Sequence, residues 1–232
     1  MPMPTRSELL KIAQARLYPS LRNPNYLVLR SRRLIFARYL QTLPNNLIVL
    51  DVGGRLQPYR PLLEGKIAKY VAVDVQPTDF VNVIGSGDQL PFRDAMFNLI
   101  IATEVLPYIR HPEQAAGEIH RVLKPGGSAM LSVAAVAPRF GDEEYWRFLP
   151  RGLRALFAPF SQVTITPEVS SPGGFCRLMN LGFHDLLRFR ALRAIYEWTA
   201  CPIVNLLGLA LEHARLTSHD QWTGNYNVIV VK

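Results

Sequence analysis

The run Leu47-Ile48-Val49-Leu50-Asp51-Val52, closed by Gly53-Gly54 and followed by Tyr70-Val71-Ala72-Val73-Asp74, constrains the fold more than any other feature. Strands this apolar are buried on both faces, and such strands belong to parallel sheets covered by helices. A strand, a glycine turn, a helix and a second strand ending in an acid is the order a nucleotide-like ligand needs. The glycines admit the ligand to the backbone, the helix N-terminus offers free N–H groups, and the acid accepts hydrogen bonds from ribose hydroxyls. The motif departs from its usual form after Gly54, where Arg55, Leu56 and Gln57 stand in place of further glycine.

The rest of the chain extends this alternation. Helices are expected over Thr5–Leu17, with Thr5 or Ser7 as cap, and over Tyr26–Leu43, stopped by Pro44-Asn45-Asn46. After strand one (Leu47–Val52) come a helix at Tyr59–Glu64, strand two (Tyr70–Val75), a short third strand (Phe80–Ile84) and a fourth (Phe97–Ala102). Pro112–Leu123 reads as a helix with Pro112 in its first turn and Ala116, Ile119 and Leu123 on its apolar face. Ser128–Val136 is a fifth strand. Glu144–Phe157 is expected to be helical and broken at Pro150, and Gln162–Val169 to be a strand. Ser170–Gly174 reads as a loop, Phe175–Leu216 as mostly helical with breaks at Gly182 and Pro202, and Asn225–Lys232 as a terminal strand.

Charge is distributed unevenly. The chain of 232 residues has a net charge of +8. Up to Leu50 the bases are Arg6, Lys11, Arg16, Arg22, Arg30, Arg32, Arg33 and Arg38, against Glu8 alone, so nearly all the excess lies there. Such a segment is either a surface for an anionic partner or a solvated helical face; its arginines do not fall on one helical stripe. Two cysteines, Cys176 and Cys201, make no disulfide framework and fit a reducing compartment. The first residues lack the apolar core of a signal peptide. Together these suggest a cytoplasmic protein, with peripheral attachment to the inner membrane face left open. Trp198–Leu211 carries no charge but is shorter than a membrane span, and Pro202 and Asn205 interrupt it. It reads as a buried helix pair or, flanked by Arg188, Arg190, Arg193 and Arg215, as an interfacial helix. The histidines are scattered, and no cluster has metal-ligand spacing.

Five pieces in fixed order carry a family resemblance: Val49–Gly54; Val73-Asp74; Leu90-Pro91-Phe92 through Asn98; Thr103-Glu104-Val105-Leu106; and Glu118 through Leu123-Lys124-Pro125-Gly126-Gly127. Together they resemble the class I S-adenosylmethionine-dependent methyltransferases, in the broad small-molecule branch called type 11. The resemblance is good from about Asn46 to Val136 and looser towards Lys232. It implies a Rossmann-like, doubly wound α/β sheet of seven strands, the last antiparallel and beside strand five. In this reading a single methyltransferase domain spans 1–232, with a basic helical cap (1–44), a cofactor-binding core (45–137) and a substrate-side half (138–232) containing a helical insert (175–216). The N-terminal helices and the insert would cap the active site.

The resemblance also implies roles for single residues. Asp51 would orient the methionine end of the cofactor, Gly53 and Gly54 would let the backbone close around it, and Asp74, with Val75 beside it, would take the ribose hydroxyls. Ser86 and Gly87 occupy the adenine-side position, and Thr103 and Glu104 would line the pocket at the strand ends. Arg55 either pairs with the cofactor's carboxylate or fills its seat. Tyr108, Asp142, Glu143 and His219 are candidates for touching the acceptor. Methyl transfer from S-adenosylmethionine, leaving S-adenosylhomocysteine, needs mainly positioning and desolvation, so no strong catalytic residue is expected and no metal is called for. The acceptor would be a small molecule or a lipid- or glycan-linked one, with no stable nucleic-acid complex. The rival readings are a degenerate fold serving as a binding subunit, and a peripheral membrane or nucleic-acid binder working through the basic N-terminus.

Overall fold

The structure is a computed structural model describing residues 4–214 and 219–232. Seven strands form one sheet: β1 (Leu47–Val52), β2 (Ile67–Asp74), β3 (Val83–Ile84), β4 (Phe97–Thr103), β5 (Leu123–Ala134), β6 (Gln162–Pro167) and β7 (Asn225–Val231). Their order is β3-β2-β1-β4-β5-β7-β6. The first five strands pair in parallel, and β7 runs antiparallel between β5 and β6. The expected doubly wound sheet, with its last strand beside strand five, is therefore present.

Strand side chains alternate between the two faces, and both faces are apolar. Leu50, Val52, Ile100, Ala102, Ala129 and Leu131 face a core completed by α3 (Pro112–Val122) and α4 (Pro150–Leu156). Val49, Leu99, Ile101 and Met130 face the opposite core, closed by Phe36 and Leu40 of α2 (Tyr26–Thr42) and by Leu17 of α1 (Arg6–Leu17). The expectation that both N-terminal helices form a cap is corrected for α2. Its Phe36 and Leu40 are wholly buried against the sheet, so it is one of the covering layers. α1 begins with a capping box, in which the Glu8 N–H donates to Thr5 Oγ1 (3.3 Å) and the Thr5 N–H donates to Glu8 Oε2 (2.8 Å).

Several element boundaries differ from expectation for local reasons. The helix expected at Tyr59–Glu64 is a 3-10 turn, Arg60–Leu63, with Pro61 in it. The third strand shrinks to two residues because Asn82 turns its side chain back, its Oδ1 accepting from the Ala72 N–H (2.8 Å). Residues 144–149 form no helix: the Tyr145 N–H donates to Pro107 O and the Phe148 N–H to Ala134 O. Pro150 starts α4 rather than breaking a helix, its missing N–H costing nothing at that position. α5 (Ser171–Leu186) absorbs the expected loop and runs through Gly182. α6 (Arg190–Trp198) and α7 (Ala200–Ala214) are separated at Thr199, and Pro202 sits in the first turn of α7. Arg215 and Leu216, the latter the expected end of the insert, lie outside the described residues.

Candidate functional site

The carboxyl ends of β1, β2 and β4 open into a cleft of about 310 Å³. This is where an open α/β sheet holds its ligand. Asp51, Gly53, Arg55, Asp74, Val75, Ser86, Gly87, Thr103 and Glu104 all line it, as do Tyr108 and Glu143. Three expected residues do not. Gly54 is buried beneath the turn, where a Cβ would stand 2.8 Å from both Ala72 Cβ and Asp51 O. Asp142 points into solvent, 3.1 Å from Arg139. His219 is exposed, and its carbonyl accepts from the Ser171 N–H, away from the cleft.

Small residues shape the cradle. Gly53 has φ +74, and a Cβ there would collide with Val105. A Cβ on Gly87 would meet Ile109 at 2.9 Å and Val52 at 3.1 Å. The left-handed position that a further glycine would fill falls to Gln57, at φ +50. Its buried side chain holds it there: Nε2 donates to Phe80 O (2.8 Å) and Oε1 accepts from Arg60 (2.9 Å). The missing glycine is thus compensated by an anchored amide. Arg55 neither fills the cleft nor stands free, since it is exposed and its guanidinium donates to Gln76 Oε1, two residues past Asp74.

Asp51 and Asp74 differ in their hydrogen-bond partners. Asp51 is buried and its Oδ2 accepts from the Tyr70 hydroxyl at 2.6 Å. Burial outweighs that bond and, helped by nearby Asp74, pushes the Asp51 carboxyl up to about 7. Asp74 Oδ1 accepts from the Gln76 N–H (2.9 Å), and Oδ2 accepts no hydrogen bond among the described residues.

A second cavity of about 480 Å³ adjoins the first and shares Arg16, Pro58, Thr103, Glu104 and Tyr108 with it. Ile12, Val28, Leu29 and Phe140 give it apolar walls, and Arg32 and Arg177 reach it from α2 and α5. Arg32 is buried between two carboxylates. Nε donates to Glu168 Oε1 (2.8 Å), and Nη2 donates to Glu168 Oε2 (3.0 Å) and Glu104 Oε1 (2.7 Å). Ser132 Oγ (2.6 Å) completes the shell of Glu168, and Asn225 Nδ2 (2.5 Å) that of Glu104. Desolvation raises the Glu104 carboxyl against the pull of Arg32. Glu104 also has φ +57, a strained value for a non-glycine residue at the end of a strand.

Arg177 is equally buried but forms no ion pair among the described residues. Nε donates to Asn25 Oδ1 (2.9 Å) and Nη1 to Val136 O (3.2 Å). Desolvation brings its guanidinium down to about 10, still cationic at neutral pH. Sequence reasoning missed Arg32, Glu168 and Arg177 as site-forming groups and counted Arg32 with a basic segment read as either a surface for an anionic partner or a solvated face. The partners are far apart in sequence, so no local spacing announces them. Among the described residues, no group of three or more His, Cys, Asp or Glu could hold a metal ion.

Residues 50–131 match the sequence model of a methyltransferase domain family. An uncharacterized methyltransferase of Mycobacterium sp. (strain KMS) is 29% identical over 114 residues, covering 45% of each chain. One from Mycolicibacterium gilvum is 30% identical over 115 residues, covering 44% of this chain and 45% of that protein. The matched stretch is thus under half the length of either relative. Among solved structures, the [4+2]-cyclase SpnF superposes with a TM-score of 0.56 at 17% identity, covering 100% of this chain and 97% of that one. A phosphoethanolamine N-methyltransferase of Haemonchus contortus, in complex with S-adenosyl-L-methionine, gives 0.57 at 12% identity, covering 95% and 60%. These structural likenesses concern the fold.

Proposed function

We propose that this chain, whose residues 50–131 match a methyltransferase domain family, is a class I S-adenosylmethionine-dependent methyltransferase that transfers a methyl group from S-adenosylmethionine to an acceptor seated in the second cavity. The observation that carries the reading is the convergence of Asp51, the Gly53 turn, Asp74 and Gly87 on one cleft at the strand ends. That donor set fits the cofactor. Asp74 would offer the ribose hydroxyls a carboxylate oxygen that accepts no hydrogen bond among the described residues, Asp51 on the same cleft would receive the cofactor's ammonium group, and Gly53 supplies the left-handed turn between them. The cofactor supplies an activated methyl group on a sulfonium. The protein's part is to orient the two substrates and keep water out, which matches a site without an obvious nucleophile.

The acceptor cavity combines apolar walls with a buried guanidinium, Arg177, that has no carboxylate partner among the described residues. A desolvated cation of this kind suits an acceptor with an apolar body and an anionic group, small or linked to a lipid or glycan. Glu104 and Tyr108 line both cavities, and in this proposal they are the side chains that would contact the accepting atom.

The raised Asp51 gives a test by pH. Ligation of an ammonium group needs the ionised carboxylate, so affinity for S-adenosylhomocysteine is expected to rise as pH climbs through about 7. Near that pH, binding should release a proton, seen in calorimetry as a heat that varies with the buffer's ionisation enthalpy. The unliganded protein should behave in the opposite sense. A carboxyl raised on folding contributes stability that is complete below its ordinary value of 3.8 and is lost as pH rises through about 7. Asp51→Asn should remove both dependences; if they persist in that variant, Asp51 has no such role.

A further inference from the structure

α7 buries polar Asn205 while turning large apolar side chains to the outside. Its inward face buries Cys201, Asn205 and Gly208 at helical spacing, with Val204, Leu209 and Leu211 partly buried against the core beside them. Asn205 Nδ2 donates to Leu21 O (2.7 Å) and Asn23 O (3.0 Å), and its Oδ1 accepts from Asn180 (3.0 Å). Gly208 lets the helix close on Leu27, which an added Cβ would strike. The outward face carries Ile203, 67% exposed, with Leu206 and Leu207 about half exposed. A surface helix in water has the opposite arrangement.

α6 continues this surface. None of its residues is buried, and Leu192, Ile195 and Trp198 form an exposed stripe at three-residue spacing. Leu186 and Phe189, 80% and 68% exposed, extend it into the connection from α5. An apolar surface of this extent marks a contact site. Its rim is basic: Arg188 and Arg190 are exposed, and the Arg22 guanidinium lies 3.9 Å above the Trp198 ring. The nearby acids, Asp185 and Glu197, both adjoin His184, at 3.6 and 3.2 Å.

We propose that α6 and α7 dock flat on an anionic lipid bilayer. Ile195, Trp198, Ile203, Leu206 and Leu207 enter the boundary between headgroups and acyl chains, and the arginines pair with lipid phosphates. The stretch Arg190–Ala214 is 25 residues long and apolar enough to cross a membrane. Asn205 and Gly208 nevertheless fix one face of α7 to the fold, and Arg190, Arg193 and Glu197 interrupt α6, so the pair lies along the surface. The Leu21–Asn25 segment that anchors α7 also borders the acceptor cavity through Asn23 and Asn25, which sets that cavity beside the docked face.

The test is flotation of the purified full chain with vesicles of phosphatidylcholine and phosphatidylglycerol, and with phosphatidylcholine alone. The chain is expected to float with the anionic vesicles, and Trp198 fluorescence to shift to the blue. Ile203→Ser/Leu206→Ser/Leu207→Ser should lower partitioning by about tenfold or more, because each change removes apolar surface from the lipid boundary. Arg188→Gln/Arg190→Gln should weaken binding to anionic vesicles alone. All five positions are exposed, so unchanged circular dichroism should accompany both variants. Three results would each overturn the proposal: wild type that stays with the aqueous fraction, vesicle binding that the serine variant leaves intact, or a dimer by sedimentation that the serine variant dissociates. The outcome is independent of the methyltransferase reading, which cofactor calorimetry tests.

Discussion

Replacing Asp74 with alanine is expected to weaken S-adenosylhomocysteine binding by about 100-fold or more, while the unfolding free energy changes by only about 1 kcal/mol. The size follows from the position of the carboxylate. Asp74 closes β2 at the carboxyl edge of the sheet, lines the first cavity and, among the described residues, accepts a hydrogen bond on Oδ1 alone, from the Gln76 N–H. A hydrogen bond to a charged group contributes about 1.5–3 kcal/mol, and a ribose presents two hydroxyls to such a carboxylate. Loss of about 3 kcal/mol is about a hundredfold in affinity. Asp74→Asn keeps an acceptor for Gln76 and should fall between wild type and alanine. Calorimetry on the three proteins decides the matter: affinity unchanged in the alanine variant would remove Asp74 from the site. If the wild type gave no heat with either form of the cofactor, the chain would instead be a methyltransferase fold used for another purpose. The fold alone leaves that open, since it superposes on a [4+2]-cyclase as well as on a methyltransferase.

The parts of this molecule that sequence reveals are those governed by local pattern. β1, β4 and β5 are apolar runs whose alternate residues serve two cores, so their burial on both faces is written in composition. The cleft follows from them, because Asp51 and Asp74 must emerge at strand ends once the strands are placed. The glycine turn was legible only in part. Gly53 has the positive φ the motif requires, whereas Gln57 carries another without being glycine, held by side-chain bonds to Phe80 and Arg60 that no spacing rule encodes. Short elements also resisted reading. The non-helical path of residues 144–149 is held by hydrogen bonds to Pro107 and Ala134, supplied by distant parts of the fold. The basic N-terminus misled in a specific way: Arg32 belongs to the interior, and only the folded chain brings it to Glu168. The uncharged run around α7 left two environments open because an apolar helix looks the same whether protein or lipid covers it. The inward Asn205 shows which face of α7 packs on the fold, and the vesicle experiment tests what meets the other.

Arg32→Met should destabilise the protein by about 3–5 kcal/mol in urea unfolding, the largest stability effect expected of a single substitution here. The guanidinium is the cation paired with both Glu104 and Glu168, and the Glu168 side chain is wholly out of water. Ser132 and Asn225 donate to these carboxylates but cannot neutralise them. Removing the cation therefore leaves negative charge in the interior, and the cost is that of the stranded charge more than of the lost bonds. Two consequences separate this cause from simple loss of packing. Stranded carboxylates take up protons more readily in the folded state, so the deficit should be greatest at alkaline pH and shrink as pH falls. A methionine that merely packed badly would give a deficit indifferent to pH. Second, Glu168→Gln placed on Arg32→Met removes one stranded charge and should restore part of the stability, although Glu168→Gln alone destabilises the wild type. Glu104 should respond as well. Arg32 holds its carboxylate where the backbone has φ +57, on the border between the two cavities, so the loss of Arg32 should disturb acceptor binding before cofactor binding. S-adenosylhomocysteine affinity close to wild type in a folded Arg32→Met variant is the expected result. A loss as large as that of Asp74→Ala would place the buried cluster in the cofactor site instead.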